Sequence, residues 1–182
     1  KVFGRGGGVG PLADPALLVA ARRVFGDEFY LDTDAHAEVS RDGDDVVIQF
    51  RALDGSAQVE RFAYMLAATG RSPNVRNLGL ENTTVKLDSN GVPFFDRGTL
   101  QCGHTSIFIA GDANNDVPLL HEAADEGRIA GGNAASYPVV RSGLRRAGLG
   151  VVFTDPQIAV IGGGFGAVRD VAYVTGAVSF EN

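Results

Sequence analysis

Apolar residues recur at helical spacing shortly after the start of the chain. Asp14 is a predicted N-cap, because it precedes Pro15, and proline is favoured at the first position of a helix. The apolar positions that follow fall on one face at the helical period: Leu17, Leu18, Ala21, Val24 and Phe25. Gly26 ends this pattern, so the sequence predicts an amphipathic helix between Pro15 and Gly26.

Short strands are predicted on both sides of this helix. Val2 and Phe3 are typical of the end of a buried strand, and residues 4–10 predict a glycine-rich turn. Further along, alternating segments separated by Asp-Gly turns predict a β-meander, with strands at residues 35–40, 46–52 and 58–62. Residues 64–68 are continuously apolar, which predicts a central strand covered on both faces.

A second strand and helix are predicted between residues 107 and 135. Residues 107–110 are apolar and end at Gly111 and Asp112, which predicts a buried strand followed by a loop. The helix is predicted from about residue 118 to residue 135. A stripe of small and apolar residues would let its backbone lie close to a neighbour: Leu120, Ala123, Ala124, Gly127, Ala130 and Gly131.

The segment after this helix is rich in glycine and arginine. Arg141, Arg145 and Arg146 stand among or beside three glycines, which predicts a solvated connector and a domain boundary near residue 140. The predicted strands at residues 158–161 and 173–178 continue to the end of the sequence without a closing helix. We therefore expect the last domain to be cut short and the chain to be an internal piece of a longer protein.

Composition and charge narrow the class of protein. The chain has 182 residues, 45% of them hydrophobic, which fits one or two ordinary globular domains. A net charge of −6 argues against nucleic acid or an anionic membrane as a partner. The longest apolar stretch, at residues 62–68, is too short for a membrane span. Cys102 is the only cysteine, so we expect a passive thiol, no redox pair or zinc cluster, and a reducing, cytoplasmic location.

Asp112 is the strongest candidate for a ligand-binding residue. It ends the predicted buried strand, and α/β folds bind ligands at the carboxyl ends of their strands. An ionised aspartate accepts hydrogen bonds from the hydroxyls of a ribose or ribitol. The helix start from Pro118 to His121 presents unpaired N–H groups and the positive end of the helix dipole, which favour an anion or an electron-rich ring. A turn or cap role is the alternative for Asp112 and for the His121 imidazole.

Four motifs follow one another along the chain: ATGRSPN at residues 68–74, LGLE at 78–81, AGD at 110–112 and LLHEAADEG at 119–127. In this order they resemble the later half of the pyridine nucleotide-disulfide oxidoreductases, a family that includes dihydrolipoamide dehydrogenase and mercuric reductase. Residues 153–159, FTDPQIA, are similar to the opening of that family's dimerisation domain. The resemblance thus covers nearly the whole chain.

The resemblance implies an α/β fold, namely a partial flavoprotein with two dinucleotide-binding domains of the three-layer ββα type and the start of an α+β dimerisation domain. The implied division is residues 1–66 for the later part of the NAD(P)-binding domain, 67–140 for the returning part of the FAD-binding domain, and 141–182 for the start of the dimerisation domain.

The resemblance also implies roles for individual residues, with FAD and NAD as the cofactors. Asp112 would bind the ribityl chain of FAD, and the backbone of the helix start would approach the pyrimidine edge of the flavin. The implied FAD residues are Gly111, Asp112, Pro118, Leu119, Leu120 and His121. Gly70 would line the NAD site, and Ala35 corresponds more loosely to another NAD neighbour. Arg71 and Asn74 are interpreted as residues that fix the turn. No catalytic residue or metal ligand is implied.

The implied activity is electron transfer between NAD(H) and a dithiol/disulfide substrate, similar to that of dihydrolipoamide dehydrogenase. The parent would be a homodimer that acts on a small-molecule or lipoyl-bearing substrate. The family's two glycine fingerprints, redox cysteine pair and C-terminal His-Glu pair are not found in these 182 residues, so we expect the chain alone to be inactive. The alternatives are a non-catalytic dinucleotide-binding or assembly module, and a related flavoenzyme such as a transhydrogenase or a mercuric reductase.

Overall fold

A computed structural model describes residues 1–3, 9–30, 34–52 and 54–179. The chain divides into two compact units. Unit 1 contains Lys1–Ala68 and Leu149–Asn182, and unit 2 contains Thr69–Gly148. Residues 4–8 of the predicted glycine-rich turn lie outside the described residues. The alternation of helices and strands confirms the α/β class.

The first helix of unit 1 begins and ends where the sequence predicts. Helix α1 spans Pro15–Phe25, and Asp14 Oδ1 accepts hydrogen bonds from the backbone N–H groups of Ala16 and Leu17, at 2.9 and 3.0 Å. Gly26 is its C-cap. The helix connects two short parallel strands, β1 at Val2–Phe3 and β2 at Phe29–Tyr30.

The apolar face of α1 is only partly covered by the described residues. Ala21 and Phe25 are buried in a small core with Val9 and Ile158, whereas Leu17 remains 53% exposed. Ile158 begins strand β7 at Ile158–Ile161, which pairs in antiparallel fashion with β6 at Leu149–Val152. The strand predicted at residues 158–161 is therefore confirmed.

The predicted β-meander is also confirmed. Strands β3 at Asp34–Asp42, β4 at Asp45–Arg51 and β5 at Ala57–Phe62 form one antiparallel sheet in that order. Gly43 and Gly55 have positive φ angles of 63° and 80°, which suits the predicted Asp-Gly turns. The central strand β4 buries three side chains: Val47, Ile48 and Phe50.

Two strands predicted in unit 1 do not form. Residues 64–68 are irregular, and Tyr64 and Leu66 are 91% and 89% exposed. Residues 173–178 are also irregular, and Val174 is 99% exposed. A strand is stable only when a neighbour takes up its backbone N–H and C=O groups, and none pairs with either segment in the part of the chain that the structure describes. Apolar composition alone was therefore not sufficient to predict a strand at either segment.

Unit 2 consists of extended segments packed against one long helix. Residues 107–110 form an extended segment with a single bridge, between Phe108 and Gln101, and not the regular strand that was predicted. Helix α2 spans Leu120–Ser136 and starts two positions after the predicted residue 118. Its Ile129 and Ala130 pack with Leu100 in a core that Phe108 borders. No helix of the described residues is long and apolar enough to cross a membrane.

The units of the structure differ slightly from the domains predicted for the whole protein. The sequence places boundaries after residues 66 and 140, whereas the described chain divides after Ala68 and after Gly148. Residues 141–148 thus belong with α2, because Arg145 and Arg146 form ion pairs with acidic residues of that helix. The predicted domain division itself stays a prediction.

Candidate functional site

The centre of the candidate site is the turn at Gly111–Asn114, which follows the extended segment of residues 107–110. Gly111 is buried and has a positive φ of 67°. A Cβ atom at this position would lie 3.0 Å from Ala123 Cβ of α2. Glycine is therefore needed both for the backbone conformation and for the close approach to the helix. This approach confirms one part of the predicted small-residue stripe, although Gly127 and Gly131 face open space.

A buried carboxylate of α2 holds this turn. Glu126 Oε2 accepts hydrogen bonds from Gly111 N–H and from Asn114 Nδ2, each at 2.7 Å. The Glu126 side chain is fully buried. Sequence reasoning missed this residue, although Glu126 lies three positions after Ala123 and therefore on the face that packs against the turn. The one feature of the sequence that could have indicated Glu126 is an acidic residue on the helix face that was predicted to pack.

Asp112 lies between the two hydrogen-bonded ends of the turn and reaches the surface. Its side chain is 42% exposed, and its Oδ2 atom lies 2.8 Å from Arg71 Nη2. Arg71 was interpreted as a residue that fixes its own turn, but it pairs with the candidate ligand-binding aspartate. The pair is open to solvent, because 77% of the Arg71 side chain is exposed. A carboxylate in this position can exchange the guanidinium for another hydrogen-bond donor.

The first turn of α2 lies next to this aspartate-bearing turn and has no side-chain cap. Leu119 is the N-cap residue and makes no side-chain capping hydrogen bond, and the helical ladder begins with Ala123 N–H donating to Leu119 C=O at 2.9 Å. The N–H groups of Leu120 and His121 therefore keep their capacity to donate, and the helix dipole adds positive potential. Pro118 and Leu120 present exposed side chains at the same end.

His121 has one unusual atom. Its Nε2 is buried and makes no hydrogen bond to any described residue, although the residue as a whole is only half-buried. A buried polar atom without a partner is costly, so this nitrogen fits a site in which a polar group of a ligand approaches the helix start. The imidazole is thus a second candidate contact beside the His121 backbone.

The two candidate NAD residues lie in different units. Gly70 is in unit 2, is exposed, and has a φ of 118°, a conformation that side-chain-bearing residues rarely adopt. Ala35 is in strand β3 of unit 1, and its side chain is not among those described. All six candidate FAD residues, by contrast, lie in unit 2 within residues 111–121.

Acidic residues on α2 and just before it form ion pairs with arginines of residues 141–148. Four carboxylates have side chains at most 9% exposed: Asp116, Glu122, Asp125 and Glu126. Arg145 Nη2 lies 2.8 Å from Glu122 Oε2 and 2.9 Å from Glu126 Oε1. The Arg145 side chain is only 22% exposed, so the prediction of a solvated connector is wrong for this residue. Its ion pairs explain why residues 141–148 belong with α2.

The neighbouring arginine forms a second ion pair with the helix. Arg146 Nε donates to Asp125 Oδ2 and Nη2 to Oδ1, both at 2.9 Å. The Arg146 guanidinium thereby holds the pKa of the Asp125 carboxyl well below its ordinary value, although burial opposes this effect. Asp125 is therefore ionised at neutral pH and anchors the segment through a two-pronged contact.

Cys102 takes no part in the site. It is fully buried, and this burial raises the pKa of its thiol to about 11, which keeps the reactive thiolate form scarce at neutral pH. The described residues contain no cluster of His, Cys, Asp and Glu that could hold a metal ion.

Comparisons with known proteins give matches over most of the chain. Residues 20–127 match the sequence profile of the family described as pyridine nucleotide-disulphide oxidoreductase. A mercuric reductase of Acidithiobacillus ferrooxidans is 32% identical over 157 residues, which are 82% of this chain and 26% of that protein. A dihydrolipoyl dehydrogenase of Chlamydia pneumoniae is 36% identical over 105 residues, which are 58% of this chain and 22% of that protein.

A solved structure supports the same relationship. The crystal structure of LpdA from Mycobacterium tuberculosis matches with a TM-score of 0.67 at 28% identity, over 87% of this chain and 34% of that one. This chain spans about a quarter of the length of the two reductase and dehydrogenase relatives.

Proposed function

Because this chain belongs to the pyridine nucleotide-disulphide oxidoreductase family, we propose that it forms part of the FAD-binding portion of an enzyme that transfers electrons between NAD(H) and a dithiol/disulfide substrate. Members of the family use FAD and NAD(H). The observation that carries the proposal is the exposed carboxylate of Asp112, on a turn packed against the uncapped start of α2.

The residues at this site fit a flavin nucleotide. Asp112 can accept hydrogen bonds from the hydroxyls of a ribityl chain, which carries donors and no charge. Leu120 and His121 can donate their N–H groups to the polar edge of a flavin ring, and the buried Nε2 of His121 gains a polar neighbour there. Gly111 keeps the turn close to the helix, so one ligand could contact both the turn and the helix start.

FAD supplies the redox-active ring when it is bound, and the chain tunes its surroundings. The positive end of the α2 dipole would favour negative charge at the polar edge of a bound flavin ring. Pro118 and Leu120 contribute exposed apolar side chains that would keep water from this edge. These residues bind and orient the cofactor, and none of them is proposed to exchange electrons.

We extend the proposal to the whole protein on the basis of its relatives. Gly70 and Ala35 are proposed to lie near the NAD cofactor, and a lipoyl-bearing or other small disulfide is the proposed substrate. A homodimer in the cytoplasm is the proposed state of the parent. The match to a mercuric reductase over 157 residues makes that reductase activity the alternative for the parent.

A flavin titration tests the proposal directly. The 182-residue chain is mixed with FAD, unbound FAD is removed, and retained absorbance is measured for the wild type and two variants. Asp112→Ala should lose most of the retained flavin. Asp42→Ala is the matched control, because Asp42 is also a solvent-exposed aspartate paired with an arginine, Arg61, but lies in the β-meander. Equal retention in both variants, or no retention by the wild type, would count against the proposed site.

A further inference from the structure

Glu126 is the one carboxylate of unit 2 that reaches the aspartate-bearing turn from inside the protein. We propose that Glu126 is a positioning residue of the flavin site, which fixes the direction of Asp112 and which Arg145 holds in place. This inference rests on the proposed FAD function. The inference adds Glu126 to the residues proposed for the flavin site, as one that acts through Asp112 and not by contact with the cofactor.

One oxygen atom of Glu126 holds the turn on both sides of Asp112. Glu126 Oε2 accepts from the backbone N–H of Gly111, which directly precedes Asp112, and from the side chain of Asn114, which follows it. Both hydrogen bonds are 2.7 Å long, as expected for a charged acceptor. Asp112 is therefore held from both sides by a group on a different element, although its own carboxylate stays exposed, in a solvent-accessible pair with Arg71.

The other oxygen atom of Glu126 is paired with Arg145. Glu126 Oε1 lies 2.9 Å from Arg145 Nη2 in an ion pair that lacks hydrogen-bond geometry, and this is its only contact with a charged group among the described residues. A fully buried carboxylate is stable only with such a partner. The same guanidinium nitrogen lies 2.8 Å from Glu122 in the first turn of α2. Arg145 thus connects the residue that holds the Asp112 turn with the helix start that would face the flavin ring.

Asp125, the neighbour of Glu126, is a control that distinguishes a role in positioning the turn from a role in stability alone. Asp125 is also buried on α2 and is also paired with an arginine of residues 141–148, namely Arg146. It has no hydrogen bond to the turn at Gly111–Asn114. If the ion pairs served stability alone, neutralising Asp125 and neutralising Glu126 would have similar effects on the flavin site.

The test therefore compares Glu126→Gln with Asp125→Asn in the 182-residue chain. The first readout needs no cofactor: the amide proton of Gly111, observed by NMR, should shift in Glu126→Gln, because its acceptor loses its charge, and should stay unchanged in Asp125→Asn. The second readout is the dissociation constant for FAD, which should rise about tenfold in Glu126→Gln and less than about threefold in Asp125→Asn. Thermal unfolding of both variants measures the loss of stability.

Three outcomes are decisive. The inference is overturned if Glu126→Gln leaves the Gly111 amide and the FAD affinity unchanged, and equally if both variants lose FAD in proportion to their loss of stability. If the wild type binds no FAD but the Gly111 amide responds to Glu126→Gln alone, the positioning of the turn stands and the proposed flavin site fails.

Should Glu126→Gln not fold, Asn114→Ala removes one of the two donors and leaves the Glu126–Arg145 pair. It should then weaken FAD binding at least threefold, and an unchanged affinity would overturn the inference.

Discussion

Arg71 Nη2 lies 2.8 Å from Asp112 Oδ2, so the carboxylate proposed to bind the ribityl chain is paired with an arginine of the same unit. Both side chains are accessible to solvent, and such pairs contribute only about 0–1 kcal/mol. A ligand hydroxyl can therefore replace the guanidinium with little loss of free energy. The pair gives the Asp112 carboxylate a partner and leaves it accessible to a ligand.

Replacing this arginine should have a small effect on cofactor binding. In Arg71→Ala the FAD dissociation constant should change by less than about fivefold, because a pair worth about 1 kcal/mol or less can shift an affinity by no more than that. The control is Arg76→Ala, which removes another exposed arginine of the same unit. A loss above tenfold in Arg71→Ala alone would mean that Arg71 contacts the nucleotide itself.

Two glycines of unit 2 should respond to alanine in opposite directions. Gly111→Ala should lower the free energy of unfolding by about 1–2 kcal/mol or more, because the positive φ strains an L-residue and the new Cβ would meet Ala123. Gly131→Ala should raise it by about 0.5–1 kcal/mol, because Gly131 lies within α2 and faces open space. Urea denaturation measures both, and equal changes would contradict the close packing of the turn.

Arg145 should matter much more to stability than another arginine of the same cluster. Arg145→Ala leaves Glu122 and Glu126 buried without their shared partner, so the free energy of unfolding should fall by about 3–5 kcal/mol. Arg128→Ala should cost less than about 1 kcal/mol, because Arg128 is exposed and Asp125 keeps its contact with Arg146. Urea denaturation of both variants checks this, and similar losses would show that the buried network is not concentrated on Arg145.

Asp125 should make the protein sensitive to acid. Because Arg146 lowers the pKa of Asp125 in the folded state, the unfolded chain binds the proton more readily, and stability rises with pH. This contribution is complete above the ordinary aspartate pKa of about 3.9 and is lost as the pH falls further, through the folded-state pKa. Between neutral pH and about pH 3, the midpoint temperature of thermal unfolding should fall less steeply in Asp125→Asn than in the wild type. Asp170→Asn, which removes an exposed carboxylate, is the control, and parallel curves for Asp125→Asn and the wild type would refute the assignment.

Local features of the fold could be predicted from the sequence, and contacts between distant residues could not. The cap at Asp14 and the turns at Gly43 and Gly55 were correct, because their causes lie within a few neighbouring residues. Residues 64–68 were predicted as a strand from apolar composition, but strand formation depends on a partner elsewhere in the chain.

The residues of the candidate site also fall into those that the sequence predicted and those that it did not. Asp112 and the start of α2 were predicted because a motif and its position after an apolar segment mark them. Glu126 was missed, because its role comes from a hydrogen bond to Gly111 across 15 positions of the sequence. Arg145 was assigned to a solvated connector, because the acidic partners that bury it lie on a different element.

The pairing of Glu126 with Arg145 has a consequence for how this region can evolve. Replacing both residues together by aliphatic side chains of similar size would remove the cost of burying their two charges, but it would leave Glu122 buried without Arg145. The backbone N–H of Gly111 would then lose its acceptor, and the orientation of Asp112 would no longer be fixed. The exchange therefore requires compensating changes at Glu122 and in the turn, so we expect descendants of this sequence either to retain the two charges together or to replace Glu122 along with them.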